Sequence, residues 1–147
     1  MAGRIHVAVV GGSEADDATC RRAEAVGEAL ARQGALLVCG GLGGVMEAAC
    51  RGARAVGGTT LGILPGTDRR AANPFVDVVV PTGMGEARNA LVVLCADALV
   101  AVGGEFGTLS EIALALKGGV PVIGLRTWEI DGVQPVSSPE EAVERAT

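Results

Sequence analysis

The runs Ile5–Val10, Ala35–Cys39 and Leu99–Val102 are almost continuously apolar. Each stops at a glycine turn and gives way to a segment with helical spacing. This repeated order constrains the chain more than any other feature. A strand apolar on both faces has to be covered on both faces. Parallel strands need a crossover connection, usually a helix, to return the chain to the same edge. The grammar therefore predicts an α/β fold: a Rossmann-like parallel sheet with helices on both faces, formed by residues 1–147 as one domain.

The expected elements follow in order. Strand Ile5–Val10 ends at Gly11-Gly12-Ser13, and a helix runs from about Asp16 to Gln33, closed by Gly34. Strand Ala35–Cys39 ends at Gly40-Gly41-Leu42-Gly43-Gly44, and a helix runs to about Val56. Strand Thr59–Leu64 ends at Pro65-Gly66. Thr67–Pro74 reads as a loop, Val76–Val80 as a strand and Gly85–Ala96 as a helix. Leu99–Val102 leads through Gly103–Gly107 into a helix at about Thr108–Lys117. Val120–Leu125 is a last strand. The tail after Trp128 is a loop with a short helix near Pro139–Arg145.

Open sheets of this kind bind ligands beyond the carboxyl ends of their strands. The turns should all lie on that edge. Backbone N–H groups at a helix start attract phosphate, and glycine lets a ligand approach closely. The candidate ligand contacts are Gly11, Gly12 and Ser13 in the first turn; Gly40, Gly41, Gly43, Gly44 and Met46 in the second; and Gly104, Gly107 and Thr108 in the third. Thr108 and Glu111 also have the Thr-x-x-Glu spacing of a capping box, with Thr108 as the N-cap. Glu111 alternatively faces a ribose or a reacting water. Arg88 lies on the first turns of a helix whose next turns are apolar, so its guanidinium must find an anion, an acid such as Glu86, or solvent.

Composition narrows the class. A formal net charge of −5 argues against a general nucleic-acid binder. The aromatics are only Phe75, Phe106 and Trp128, too few for base-stacking along a strand. There is no GxxxxGK[ST] loop, and Lys117 is the only lysine, which argues against a P-loop kinase. The first turn is not GxGxxG and the second strand ends without an acid, so a standard NAD-dependent dehydrogenase is not expected. There is no GxSxG elbow. His6, inside the first strand, reads as structural. The cysteines Cys20, Cys39, Cys50 and Cys95 show no zinc-ligand spacing. With no leader-like segment, they point to the reducing cytoplasm. No apolar run is long enough to span a membrane. Ala90–Ala96 is apolar nearly all round, which points to a face buried in a homodimer or homotetramer rather than to a helix sandwiched within one chain, the other reading the pattern allows.

Taken together, GGLGGVMEAA at 40–49, GILPG at 62–66, GMGEARN at 83–89 and GGEFGTLSE at 103–111 resemble the LOG-like nucleotide-binding superfamily, once labelled "possible lysine decarboxylase". The resemblance runs from about Ile5 to Leu125 and is greatest to the short branch that includes molybdenum cofactor carrier proteins. It implies that a phosphorylated small molecule, a nucleotide or a phosphorylated pterin-type cofactor, is the ligand, with no resident cofactor required. Longer members are phosphoribohydrolases that cut nucleoside 5′-monophosphates into base and ribose 5-phosphate. Their catalytic Arg and Glu correspond to Arg88 and Glu111. Here Met84 stands one residue further from the arginine, Asn89 replaces a lysine, and Gly103 and Glu105 replace a proline and a glycine. With Lys117 late in a helix, decarboxylase chemistry is not expected.

Overall fold

The computed structural model describes residues 3–147. A seven-stranded sheet forms the centre, built from β1 (His6–Gly11), β2 (Leu36–Cys39), β3 (Thr60–Leu64), β4 (Val78–Pro81), β5 (Ala98–Val102), β6 (Val122–Leu125) and β7 (Val133–Pro135). The spatial order is β4-β3-β2-β1-β5-β6-β7 and every pairing is parallel. Strand order reverses between β1 and β5, where Gly11 lies beside Val102. That switch point sits at the mouths of the first and last glycine turns.

Alternation along the central strands divides the core in two. Val7 and Val9 of β1 and Val100 and Val102 of β5 face α1 (Asp17–Arg32), α2 (Val45–Ala55) and α5 (Pro139–Ala146). Ala8, Val10, Leu99 and Ala101 face the other way, with α3 (Arg88–Leu94) and α4 (Phe106–Lys117). Both halves are aliphatic, as the dearth of aromatic residues requires. Helices α1 and α2 approach closely because each offers glycine at the crossing. A Cβ on Gly27 would lie 1.9 Å from the Ala49 carbonyl oxygen, and one on Gly52 would lie 2.0 Å from that of Glu24.

Several expected boundaries are corrected. β7 falls in the tail read as a loop; Val-Gln-Pro is short and sits at the sheet edge, where a proline is tolerated. The loop 67–74 contains a single 3-10 turn, Arg69–Ala71, capped by Asp68. The fourth strand starts at Val78, not Val76, because the Asp77 carboxylate accepts the Thr60 N–H and Val76 turns into the core. The helix expected from Gly85 opens as a 3-10 turn, Gly85–Ala87, with Gly85 at φ 60°, and becomes α-helical only from Arg88. The last glycine turn ends earlier than expected: α4 begins at Phe106, so Thr108 is its third residue and not its cap.

Helix α3 buries Val92 and Val93 and leaves Leu94 exposed. Among the described residues, no helix is long and apolar enough to cross a membrane. His6 stands at the end of β1 remote from the glycine turns. Its N–H donates to Asp97 and its Nδ1 lies 3.0 Å from the Cys95 carbonyl oxygen.

Candidate functional site

A cavity of about 460 Å³ opens at the carboxyl edge of the sheet, over the switch point. That volume suits a small cofactor or nucleotide. Of the residues singled out in the sequence, Gly11, Gly12, Ser13, Gly40, Met46, Arg88, Gly107, Thr108 and Glu111 line it. Gly41, Gly43, Gly44 and Gly104 do not; they shape the turns from behind. Gly44, at φ 61°, packs against Gly12 and Ser13, where a Cβ would come within 2.2 Å of the Gly12 carbonyl oxygen. Gly104, at φ 104°, makes room for the Thr108 side chain. The second turn is also held from outside: Asn73 donates its N–H to the Gly41 carbonyl and its side-chain amide to that of Leu42.

The helices that follow the three glycine turns, α1, α2 and α4, differ in how they start. The Asp16 side chain accepts the Thr19 N–H and closes the first turn of α1. Neither α2 nor α4 has a side-chain cap. In α2 the Val45 N–H is taken by the Gly12 carbonyl. In α4 the first backbone bond inside the helix is Leu109 N–H to Glu105 carbonyl. Among the described residues, no acceptor meets the N–H groups of Phe106, Gly107 and Thr108. An uncapped helix start carries partial positive charge and unsatisfied donors. The capping-box reading of Thr108 fails here: its hydroxyl stands within the first turn.

Arg88 is buried and used in full view of the cavity. Its Nε donates to the Ile63 carbonyl at 2.9 Å and its Nη2 to the Gly40 carbonyl at 3.4 Å, while Nη1 donates to Asn89 Oδ1. It therefore ties the ends of β2 and β3 to α3. No ion pair to Glu86 forms. Asn89, also buried, passes the connection on: its Nδ2 donates to Ser110 Oγ, which donates to the Gly107 carbonyl at 2.6 Å. The arginine thus braces the glycine turn at one end and α4 at the other.

Glu111 is 7% exposed. Burial pushes its carboxyl up to about 7, and the Arg88 charge opposes that rise. It is a carboxyl poised to change protonation near neutrality at the floor of a cavity. Glu14, Glu86 and Glu105 also line the cavity, but at its exposed rim. Beneath the second turn, Cys39 and Cys50 lie 3.5 Å apart, sulfur to sulfur. The Cys50 thiol and the Gly41 N–H favour the anionic form of Cys39, and its partner Cys50 is pushed the other way.

Asn89, Glu105 and Phe106 line the cavity although the turn glycines drew the attention in the sequence. Asn89 was legible as the neighbour of Arg88. Phe106 was legible as one of three aromatics, set between Glu105 and Gly107.

A parallel sheet with helices on both sides and a cavity at the strand-order reversal defines the Rossmann-like class of α/β proteins. Within that class, the chain belongs to the SLOG cluster4 family, whose family model matches residues 4–147. An uncharacterized protein of Archaeoglobus fulgidus is 46% identical over 140 residues, covering 95% of this chain and 92% of that one. The structure is similar to that of the molybdenum cofactor binding protein from Rippkaea orientalis, with a TM-score of 0.92 and 36% identity over 97% of this chain and 95% of that one. It is also similar to the molybdenum cofactor carrier protein of Chlamydomonas reinhardtii, with a TM-score of 0.88 and 33% identity over 97% and 96%.

Proposed function

We propose that this protein binds a phosphorylated pterin-type cofactor or a nucleotide in the carboxyl-edge cavity and releases it intact, as a carrier does. The observation that carries this reading is the open start of α4, three donors without acceptors among the described residues at the edge of a cavity of about 460 Å³. A phosphate placed there meets the helix dipole and needs no lysine. The likeness to molybdenum cofactor binding and carrier proteins supports the pterin-type ligand. In the same reading Arg88 is a positioning residue with its charge at the cavity floor.

Glu111 favours a second reading. A buried carboxyl shifted to about 7 is suited to stabilise an oxocarbenium-like ribose or to orient water. That chemistry would make the protein a phosphoribohydrolase, with the C1′–N bond broken, the base leaving and water supplying the new hydroxyl. Arg88 bonded to two strand-end carbonyls and Asn89 is less free to clamp a phosphate than such an enzyme would want. We also read Leu94, exposed on α3, as part of a face that pairs two copies of the chain.

The test is incubation of the purified protein with a panel of nucleoside monophosphates, following free base by chromatography and bound ligand by native mass spectrometry. Intact retained nucleotide with no base released is the expected result. Base release that disappears in Glu111→Gln would overturn the carrier reading in favour of the hydrolase.

A further inference from the structure

We propose that Phe106, backed by Trp128, is the platform on which the planar ring of the ligand stacks. The proposal rests on the reading of the cavity as a phosphorylated-ligand site and names the chemistry of the ligand's other end: a flat heteroaromatic ring.

Three observations lead to it. First, Phe106 lines the cavity and is 79% exposed, as far out as any large apolar side chain among the described residues. A single exposed apolar residue is ordinary on a surface. This one is not isolated, because its ring leans on Trp128, with centroids 6.0 Å apart and planes inclined by 35°. Trp128 is itself rooted. Its body packs on the β-sheet face shared with α3 and α4, and its Nε1 donates to the Glu105 carbonyl at 3.1 Å. A chain with three aromatic residues thus sets two of them together, Phe106 on the cavity and Trp128 behind it, outside the cavity lining.

Second, Phe106 is the first residue of α4. A ring stacked on it holds its tail within reach of the open N–H groups of that same turn. An anchored side chain loses little freedom when a ligand arrives, which favours binding.

Third, Gly107 has no reason in the fold to be glycine. Its φ is not positive, and a Cβ there would meet nothing within 4 Å. Alanine would fit and would suit the helix better. Beside Phe106, the missing side chain leaves clear space over the first turn, where a flat ligand would lie.

Base–aromatic stacking is sequence-tolerant because every flat heterocycle has a π-face, and removing the aromatic weakens binding measurably. Pterins and purines share that chemistry, and the experiment separates them. Binding of neopterin monophosphate, GMP and ribose 5-phosphate to wild type, Phe106→Ala and Phe106→Trp would be measured by calorimetry. Phe106 is exposed, so the alanine variant should fold. The expected result is roughly tenfold or greater loss for a ring-bearing ligand in Phe106→Ala, no change for ribose 5-phosphate, and recovery in Phe106→Trp. The tighter of the two ring-bearing ligands identifies the kind of ring. Unchanged ring-ligand binding in Phe106→Ala would overturn the platform and leave the cavity reading standing. Equal losses for all three ligands would also overturn it, since Phe106 would then only support the helix start. Wild type binding none of the three would overturn both.

Discussion

Arg88 and Gly40 are fitted to each other: Nη2 of the arginine reaches the Gly40 carbonyl at 3.4 Å, and a Cβ on that glycine would lie 2.6 Å from the same nitrogen. It would also lie 2.9 Å from the Met46 sulfur. The first glycine of the GGLGG turn therefore admits a buried cation. Gly40→Ala should displace the guanidinium, cost about 1–3 kcal/mol of stability as overpacking does, and weaken phosphate-ligand binding. Chemical denaturation and ligand titration of the variant check both. Unchanged values for both would mean Arg88 is not held as described.

Glu111 predicts a pH dependence. Its folded value, pushed up from 4.5 to about 7, means that the folded protein holds this proton more tightly than the unfolded chain. The stabilisation is complete below about 4.5 and is lost as pH rises through about 7. Each unit corresponds to about 1.4 kcal/mol, so the loss is on the order of 3 kcal/mol across that window. Glu111→Gln should flatten the stability profile between pH 4.5 and 7 relative to wild type and be the more stable protein above it. Parallel melting curves across that range measure the difference. Identical pH profiles would contradict the shifted carboxyl.

The α1–α2 contact gives a prediction independent of the cavity. A Cβ on Gly27 would lie 1.9 Å from the Ala49 carbonyl oxygen, a backbone atom that cannot rotate away. Gly27→Ala must push the helices apart. The expected cost is at least about 1–3 kcal/mol, against the slight gain that alanine normally brings to a helix interior. A rise in Tm would show that the two helices do not cross as closely as described.

Leu94 tests the self-association reading. It is 79% exposed on a helix otherwise turned inward. Leu94→Glu should lower the mass found by light scattering from that of a dimer or tetramer to that of one chain, without lowering Tm of the isolated chain. A wild type that is already a single chain at all concentrations would dismiss the pairing face.

Much of the fold is legible in the sequence alone. The near-continuous aliphatic runs demanded a buried parallel sheet, and the glycine turns marked its carboxyl edge. What escaped has physical causes. β7 is three residues at a sheet edge, with too little apolar content to show a period. The start of α4 was misplaced because Thr108 and Glu111 carry the spacing of a cap, whereas this helix start is left open toward a cavity. From its sequence Arg88 could meet an anion, an acid such as Glu86, or solvent; its carbonyl partners, Gly40 just after β2 and Ile63 on β3, lie 48 and 25 residues away, beyond any local pattern. The pairing of Phe106 with Trp128 is likewise a product of the sheet order, which brings the ends of β5 and β6 side by side.

The most direct test of the central claim is a ¹H–¹⁵N NMR titration of the intact protein with neopterin monophosphate. The account predicts the largest amide shifts at Phe106, Gly107 and Thr108, with smaller ones at Gly12, Ser13 and Met46, and none at His6 or in α5. Shifts centred elsewhere, or no saturable shifts in the α4 turn, would contradict a phosphorylated-ligand site at the carboxyl edge of the sheet.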